Sequence, residues 1–328
     1  AGRRARRALE DARETAAAVL GGDPKEIVFT SGATESNALA IAGVAEALRG
    51  RADHLVTTAI EHPSVLEAFA RLEKQGWKVT RVPVDSAGLV DPARVAAAVT
   101  PKTALVSVML VNNEVGSIQP LAAIRKAVPG VVIHSDAAQA IGKVPVDLRD
   151  ADLVTFSAHK IHGPKGVGGL WIRKGTPLAA QLVGGGQEFE KRAGTENVAG
   201  AVGLAAALKL AGPGRMAELR ERLRRALGAP ADARAPHILN VAFEGVDGEA
   251  AILALDAAGI CISSGSACAS GSTKPSHVLT AMGLPADVVK SSVRFSLSMM
   301  TTDEDIDGAL RIVPGVVERL RKISPVTR

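Results

Sequence analysis

Aromatic side chains are nearly missing from this chain of 328 residues: six Phe, two Trp and no Tyr, or 2% in all. That scarcity argues against several classes of protein. Single-stranded nucleic acids are bound on aromatic platforms that stack the bases, so no direct nucleic-acid partner is expected. Membrane proteins carry Trp and Tyr girdles at the bilayer interface, and no stretch of 18 apolar residues here is free of charges and turn signals. No tyrosine hydroxyl can take part in catalysis, and a planar cofactor would have to lie against some other side chain.

Cysteine is scarce too. The two present, Cys261 and Cys268, are too few for a disulfide scaffold and point to a reducing compartment, read as the cytoplasm. Their spacing is not that of a zinc site, which needs four ligands in short pairs, so no metal ligand set is expected. The first residues lack the apolar core of a secretory signal and read as a basic amphipathic helix running to about Leu20. The net charge of +5 is spread along the chain, which suits solubility better than a nucleic-acid face.

What is present is an alternation. Short β-branched runs at 26–30, 54–59, 77–82, 103–109, 131–135, 152–156 and 167–172 are separated by helical patterns. This predicts an α/β fold with a mostly parallel, doubly wound sheet, a type that places ligands at the carboxyl ends of its strands. Gly212-Pro213-Gly214 marks a boundary. We therefore expect a large domain over 1–211 and a smaller α+β domain over 212–328, with strands at 238–243, 259–262 and 292–297.

Four segments carry chemistry. Thr30-Ser31-Gly32-Ala33-Thr34-Glu35-Ser36-Asn37 joins a strand to a helix, where backbone N–H groups can hold an anion or the helix is simply capped. His134-Ser135-Asp136-Ala137-Ala138-Gln139 ends another strand, and an Asp there suits a metal ligand, a cap or a partner for a ring nitrogen. Ser157-Ala158-His159-Lys160 puts a lysine just after a buried strand; burial would lower its pKa and make it a Schiff-base nucleophile. Ser263-Ser264-Gly265-Ser266-Ala267-Cys268 sets a cysteine among small residues, where it is accessible, while Cys261 falls in an apolar strand and reads as inert.

These segments, in order with Glu61-His62, Asn112-Asn113-Glu114, Arg192-x-Gly194-Thr195 and Ser292-Val293-Arg294-Phe295, resemble the cysteine desulfurases of the class V aminotransferases, in the NifS/IscS-like subgroup. The resemblance runs from about Gly21 to Leu320. It implies a pyridoxal 5′-phosphate-dependent transferase of fold type I, converting L-cysteine to L-alanine and leaving a persulfide on the enzyme. By the same resemblance Lys160 matches the lysine that binds the cofactor aldehyde. Asp136 matches the carboxylate facing the pyridine nitrogen, and Gln139 the neighbour of the phenolic oxygen. Ala33, Thr34, Ser157 and His159 match the phosphate cradle. Thr195 matches a phosphate contact made across a homodimer. His62 matches the imidazole stacked on the ring and a proton shuttle, and Asn113 a cofactor and substrate contact. Arg294 matches the clamp on the substrate carboxylate, and Cys268 the sulfur acceptor, with at most a transient iron–sulfur contact there. The implied partners are a second copy of the chain and a sulfur-acceptor protein, an iron–sulfur scaffold or a thiolation protein.

The same residues would serve a selenocysteine lyase, and a chain of this fold could be a non-catalytic subunit that binds the acceptor; the cysteine segment and the joint retention of Lys160, Asp136, His62, Cys268 and Arg294 favour the desulfurase. Two departures stand out. Members of the family usually start some forty residues earlier, with an Asn/Asp-Ala-Ala-Thr-Thr stretch not found here, and the connector from Gly228 to Pro236 is short.

Overall fold

The computed structural model describes residues 1–230, 234–265 and 275–323. The described residues fall into two compact units.

The first unit comprises 1–82, 90–111 and 119–211. It holds a seven-stranded sheet of β1 (Ile27–Thr30), β2 (His54–Thr58), β3 (Lys78–Val82), β4 (Thr103–Ser107), β5 (Val132–Asp136), β6 (Leu153–Ser157) and β7 (Gly168–Ile172), in the order β1-β7-β6-β5-β4-β2-β3. The five strands β3, β2, β4, β5 and β6 run parallel, while β7 lies antiparallel to both β6 and β1. Strands β1, β2, β6 and β7 are buried along their whole length, as parallel sheets covered on both faces require.

Helices α1 (Gly2–Leu20), α2 (Ala33–Ala47), α3 (Pro63–Lys74), α4 (Pro92–Ala98), α5 (Leu121–Ala127) and α6 (Val198–Leu210) complete this unit. Helix α2 packs Leu39, Ile41 and Val44 into a core with Leu55, Phe69, Leu105, Leu153 and Leu170. Gly168 is required where β7 passes the chain at Gly32, because a Cβ there would stand 2.7 Å from the Gly32 Cα. The short α5 gives little periodic signal, and the sequence pattern passes over it.

The second unit comprises 83–89, 112–118 and 212–328. Segments 83–89 and 112–118 depart from the expected division at 211/212. Residues 112–118 join this unit through the Ala235 N–H, which donates to the Gly116 carbonyl at 2.8 Å. The unit contains α7 (Met216–Ala226), β8 (Ile238–Ala242), α8 (Gly248–Asp256), β9 (Ser263–Ser264), α9 (His277–Ala281), α10 (Ala286–Ser291), β10 (Ser292–Ser296) and α11 (Asp303–Ile323). Its antiparallel sheet has the order β8-β10-β9, and Phe243, Phe295, Leu255 and Val313 lie in its core.

The strand expected at 259–262 is not formed. Gly259, at φ 85°, turns the chain out of α8, and its N–H and that of Ile260 bond back to Asp256 and Leu255. Pairing with β10 begins only at Ser263. Cys261 is consequently exposed rather than set in an apolar strand, with its Sγ 3.7 Å from Asp256 Oδ1.

Candidate active site

The carboxyl ends of the parallel strands collect polar side chains in the first unit. Asp136 is the last residue of β5 and Ser157 the last of β6, while Glu61 and His62 follow β2. Asp136 is buried, with Oδ1 accepting the Ala138 N–H at 3.0 Å and Oδ2 accepting the Asn37 amide at 2.7 Å. Asn37 also donates to Ser64 Oγ at 2.9 Å, and that hydroxyl lies 2.8 Å from His62 Nδ1. The same Nδ1 accepts the Ser64 N–H at 3.1 Å, where His62 caps α3. An acceptor at Nδ1 leaves the proton of a neutral imidazole on Nε2. A continuous hydrogen-bonded line thus runs His62–Ser64–Asn37–Asp136.

Glu61, which precedes His62, is fully buried. Burial pushes its carboxyl up to about 8, helped by the charge of Asp136. It accepts the Thr58 hydroxyl at 2.6 Å and the Met109 N–H at 2.9 Å. At neutral pH it therefore holds its proton.

The turn from β1 into α2 is built to receive an anion. Its N-cap, Gly32, has no side chain to occupy the first-turn N–H groups, which belong to Ala33 and Thr34. The Thr30 hydroxyl braces the turn, 2.7 Å from Ser36 Oγ and 3.1 Å from the Gly32 carbonyl. Ser157 Oγ meets His159 Nδ1 at 2.8 Å. Partial desolvation and then the charges of Lys160, Lys143 and Lys165 hold His159 below its ordinary value, so it stays neutral amid a positive field.

Lys160 differs from its sequence expectation: it is exposed on the short turn 158–161. The lysine that burial affects is Lys143, pushed down to about 8 by desolvation and by Lys160; its Nζ is 3.5 Å from Gln139 Oε1. Thr195 is exposed, at the end of a loop tied back by Arg192 Nε to Glu35 Oε1 at 2.7 Å.

In the second unit, Arg294 on β10 is half-buried and donates from Nη1 to the Asn113 carbonyl at 2.6 Å. Cys268 lies outside the described residues.

The chain matches the aminotransferase class-V family over residues 1–308. It belongs to that family. A cysteine desulfurase IscS of Dictyoglomus turgidum is 43% identical to it, covering 99% of this chain and 87% of that protein. Among solved structures, a NifS-like protein superposes with a TM-score of 0.89 at 39% identity, covering 98% of this chain and 90% of that one. SspA in complex with cysteine superposes at 0.82 with 35% identity, covering 92% and 89%.

Members of this family depend on pyridoxal 5′-phosphate, and the residues here fit that group. The anion cradle, the lysine cluster and a buried carboxylate held by donors match a phosphate and a protonated ring nitrogen. Asn37 Oδ1, buried without a hydrogen-bond partner, marks a polar site still open to a ligand or water.

Sequence reasoning missed Ser64 and Lys143 as contributors, and quoted Asn37 and Glu61 without giving them roles. One signal was available for Asn37. Helix α2 is apolar from Ala38 to Ala45, and Asn37 directly precedes that run on a part of the helix that is buried. Glu61 sends no such signal, since an acid beside a histidine reads as surface.

Proposed function

We propose that the protein is a pyridoxal 5′-phosphate-dependent cysteine desulfurase. L-cysteine and the Cys268 thiol give L-alanine and a persulfide on Cys268. The observation that carries this reading is the hydrogen-bonded line from His62 to Asp136, in one unit with the anion cradle and Lys160. The activity of the similar proteins, cysteine desulfurases, points the same way.

When bound, pyridoxal phosphate supplies an aldehyde carbon that takes up the substrate amine and a protonated ring that holds the electrons released at Cα. The residues supply the rest. Asp136, oriented by Asn37, keeps the proton on the ring nitrogen. Gln139 serves the phenolic oxygen. Ala33, Thr34, Ser157 and His159 hold the phosphate, joined by Thr195 from a second copy of the chain. The Lys160 amine accepts the Cα proton, and His62 moves a proton at Nε2. Arg294 binds the substrate carboxylate with its planar fork, beside Asn113.

The homodimer is supported by the exposed apolar side chains Leu182, Val183 and Phe189 on the loop that carries Thr195. No helix among the described residues is long and apolar enough to cross a membrane. A thiol that must cycle through a persulfide suits the cytoplasm, where an iron–sulfur scaffold or a thiolation protein would take the sulfur.

The test is direct. Purified protein absorbs in the visible range, and Lys160→Ala abolishes that band. Cys268→Ala keeps the band but releases no sulfide from L-cysteine with a reductant. A protein that never takes up the cofactor, or full turnover in Cys268→Ala, overturns the reading.

A further inference from the structure

In the second unit one carboxylate touches both ends of the segment that carries Cys268. Gly265 precedes that segment and Ser276 follows it as the N-cap of α9. Glu114 Oε2 accepts the Ser276 hydroxyl at 2.5 Å. The same oxygen lies so close to Gly265 that a Cβ there would overlap it. The neighbouring Asn113 carbonyl accepts from Arg294 Nη1 at 2.6 Å, and that nitrogen also reaches the Gly265 carbonyl at 3.4 Å. Arg294 also pairs with Ser263 across β10 and β9. Burial raises the Glu114 carboxyl above its usual range, against the opposing pull of Ser276, His277 and Arg294. A buried acid with so specific a set of neighbours is costly to keep for solubility alone.

We propose that Glu114 is a positioning residue for sulfur transfer, fixing both ends of the Cys268 segment against the guanidinium that binds the substrate carboxylate. The assignment rests on the desulfurase reading. Cys268 is three residues from Gly265, a tether of at most about 11 Å of extended chain. The step itself is balanced. The Cys268 thiolate forms a bond to the substrate sulfur, and the carbon–sulfur bond breaks with its electron pair passing to carbon. The proton given up by the thiol is returned on carbon, so L-alanine leaves and the persulfide remains, with no outside oxidant. Such a displacement needs its atoms about 3–3.5 Å apart, and an ångström of misplacement costs up to about a hundredfold.

The experiment uses holoenzyme mixed rapidly with L-cysteine and two readouts. Absorbance of the bound cofactor gives the apparent affinity for L-cysteine, and quenching with mass spectrometry gives the persulfide on Cys268. Glu114→Ala is expected to leave the affinity within about threefold while slowing persulfide formation at least about tenfold. Glu114→Gln, which keeps an acceptor oxygen for Ser276, restores most of the rate. Gly265→Ala presses on the same oxygen from the other side and gives the same split, which covers the case of Glu114→Ala failing to fold. Unchanged persulfide rates in both variants, or equal losses of affinity and rate, overturn the assignment. A wild-type protein that binds L-cysteine but never forms the persulfide overturns the desulfurase reading itself, and the assignment with it.

Discussion

Asn37 shows how much one buried amide can organise. Its two N–H groups are divided between Ser64 and Asp136, so it sets the orientation of both the imidazole partner and the carboxylate. Replacing it by Leu keeps the volume and removes both donors. Hydrogen bonds to charged groups contribute about 1.5–3 kcal/mol, so Asn37→Leu should weaken cofactor affinity by roughly 10- to 100-fold. Titration of the apo-protein with pyridoxal phosphate, followed by absorbance, measures this directly; an unchanged affinity would show that Asp136 needs no orienting donor. Asp136 and His62 could be singled out from the sequence because their neighbours form recognisable strings. The Ser64 and Asn37 links between them come from two different helices, α3 and α2, and no spacing in the chain reveals that they meet.

Among the described residues, the loop after residue 182 has the least ordinary backbone. Glu188, Phe189 and Glu190 are three consecutive non-glycine residues with φ of 47°, 56° and 62°. Left-handed backbone costs roughly 1–2 kcal/mol per residue, so something must hold it. Glu188 is buried and accepts both Arg13 amino groups, at 2.8 and 2.9 Å, and the Phe29 N–H at 2.8 Å. The Arg13 guanidinium stands 4.9 Å from the ring centres of both Phe29 and Phe189. Arg13→Met strands a buried carboxylate and should cost about 3–5 kcal/mol. Adding Glu188→Leu should recover most of that loss, and urea unfolding of the single and double variants tests the cycle. At exposed Glu190, replacement by Gly relieves the left-handed penalty and should stabilise by about 1 kcal/mol; a lower urea midpoint would contradict the strain. The sequence places Arg13 on an amphipathic helix and Glu188 in a polar loop, yet they are 175 residues apart.

For the whole molecule, two fully buried groups shape the response to pH in opposite senses. Glu61 holds its proton in the folded state up to about pH 8, whereas unfolded glutamate releases it near 4.5. The folded state therefore binds more protons between those values, and stability falls as pH rises through that window. His134, buried between Ser107 and Thr155, is pushed down to about 3 by burial. Unfolded histidine takes up a proton below about 6.5, so the stability His134 contributes is present above that pH and lost as pH falls. Below about 6.5 the two slopes oppose each other; above it Glu61 is the one still acting, until Lys143, pushed down to about 8, begins to oppose it near that value. Wild-type protein should lose about 2 kcal/mol between pH 6.5 and 8, and Glu61→Gln should flatten that loss in urea titrations. A wild-type curve already flat over this range would mean that Glu61 is ionised.

The alternation of β-branched and helical segments determined the α/β class by itself, because a buried parallel strand and a covering helix each impose a local pattern that the side chains must satisfy. The segments proposed as cradle, lysine and carboxylate stand out the same way, since each is a short string at a strand end. The exposure of Lys160, the loss of the strand at 259–262, the transfer of 112–118 to the second unit and the buried Glu61 and Glu114 were decided only by tertiary structure. In each of these the outcome depends on which distant groups desolvate or bond a residue, and that information is spread over elements that sequence order keeps apart.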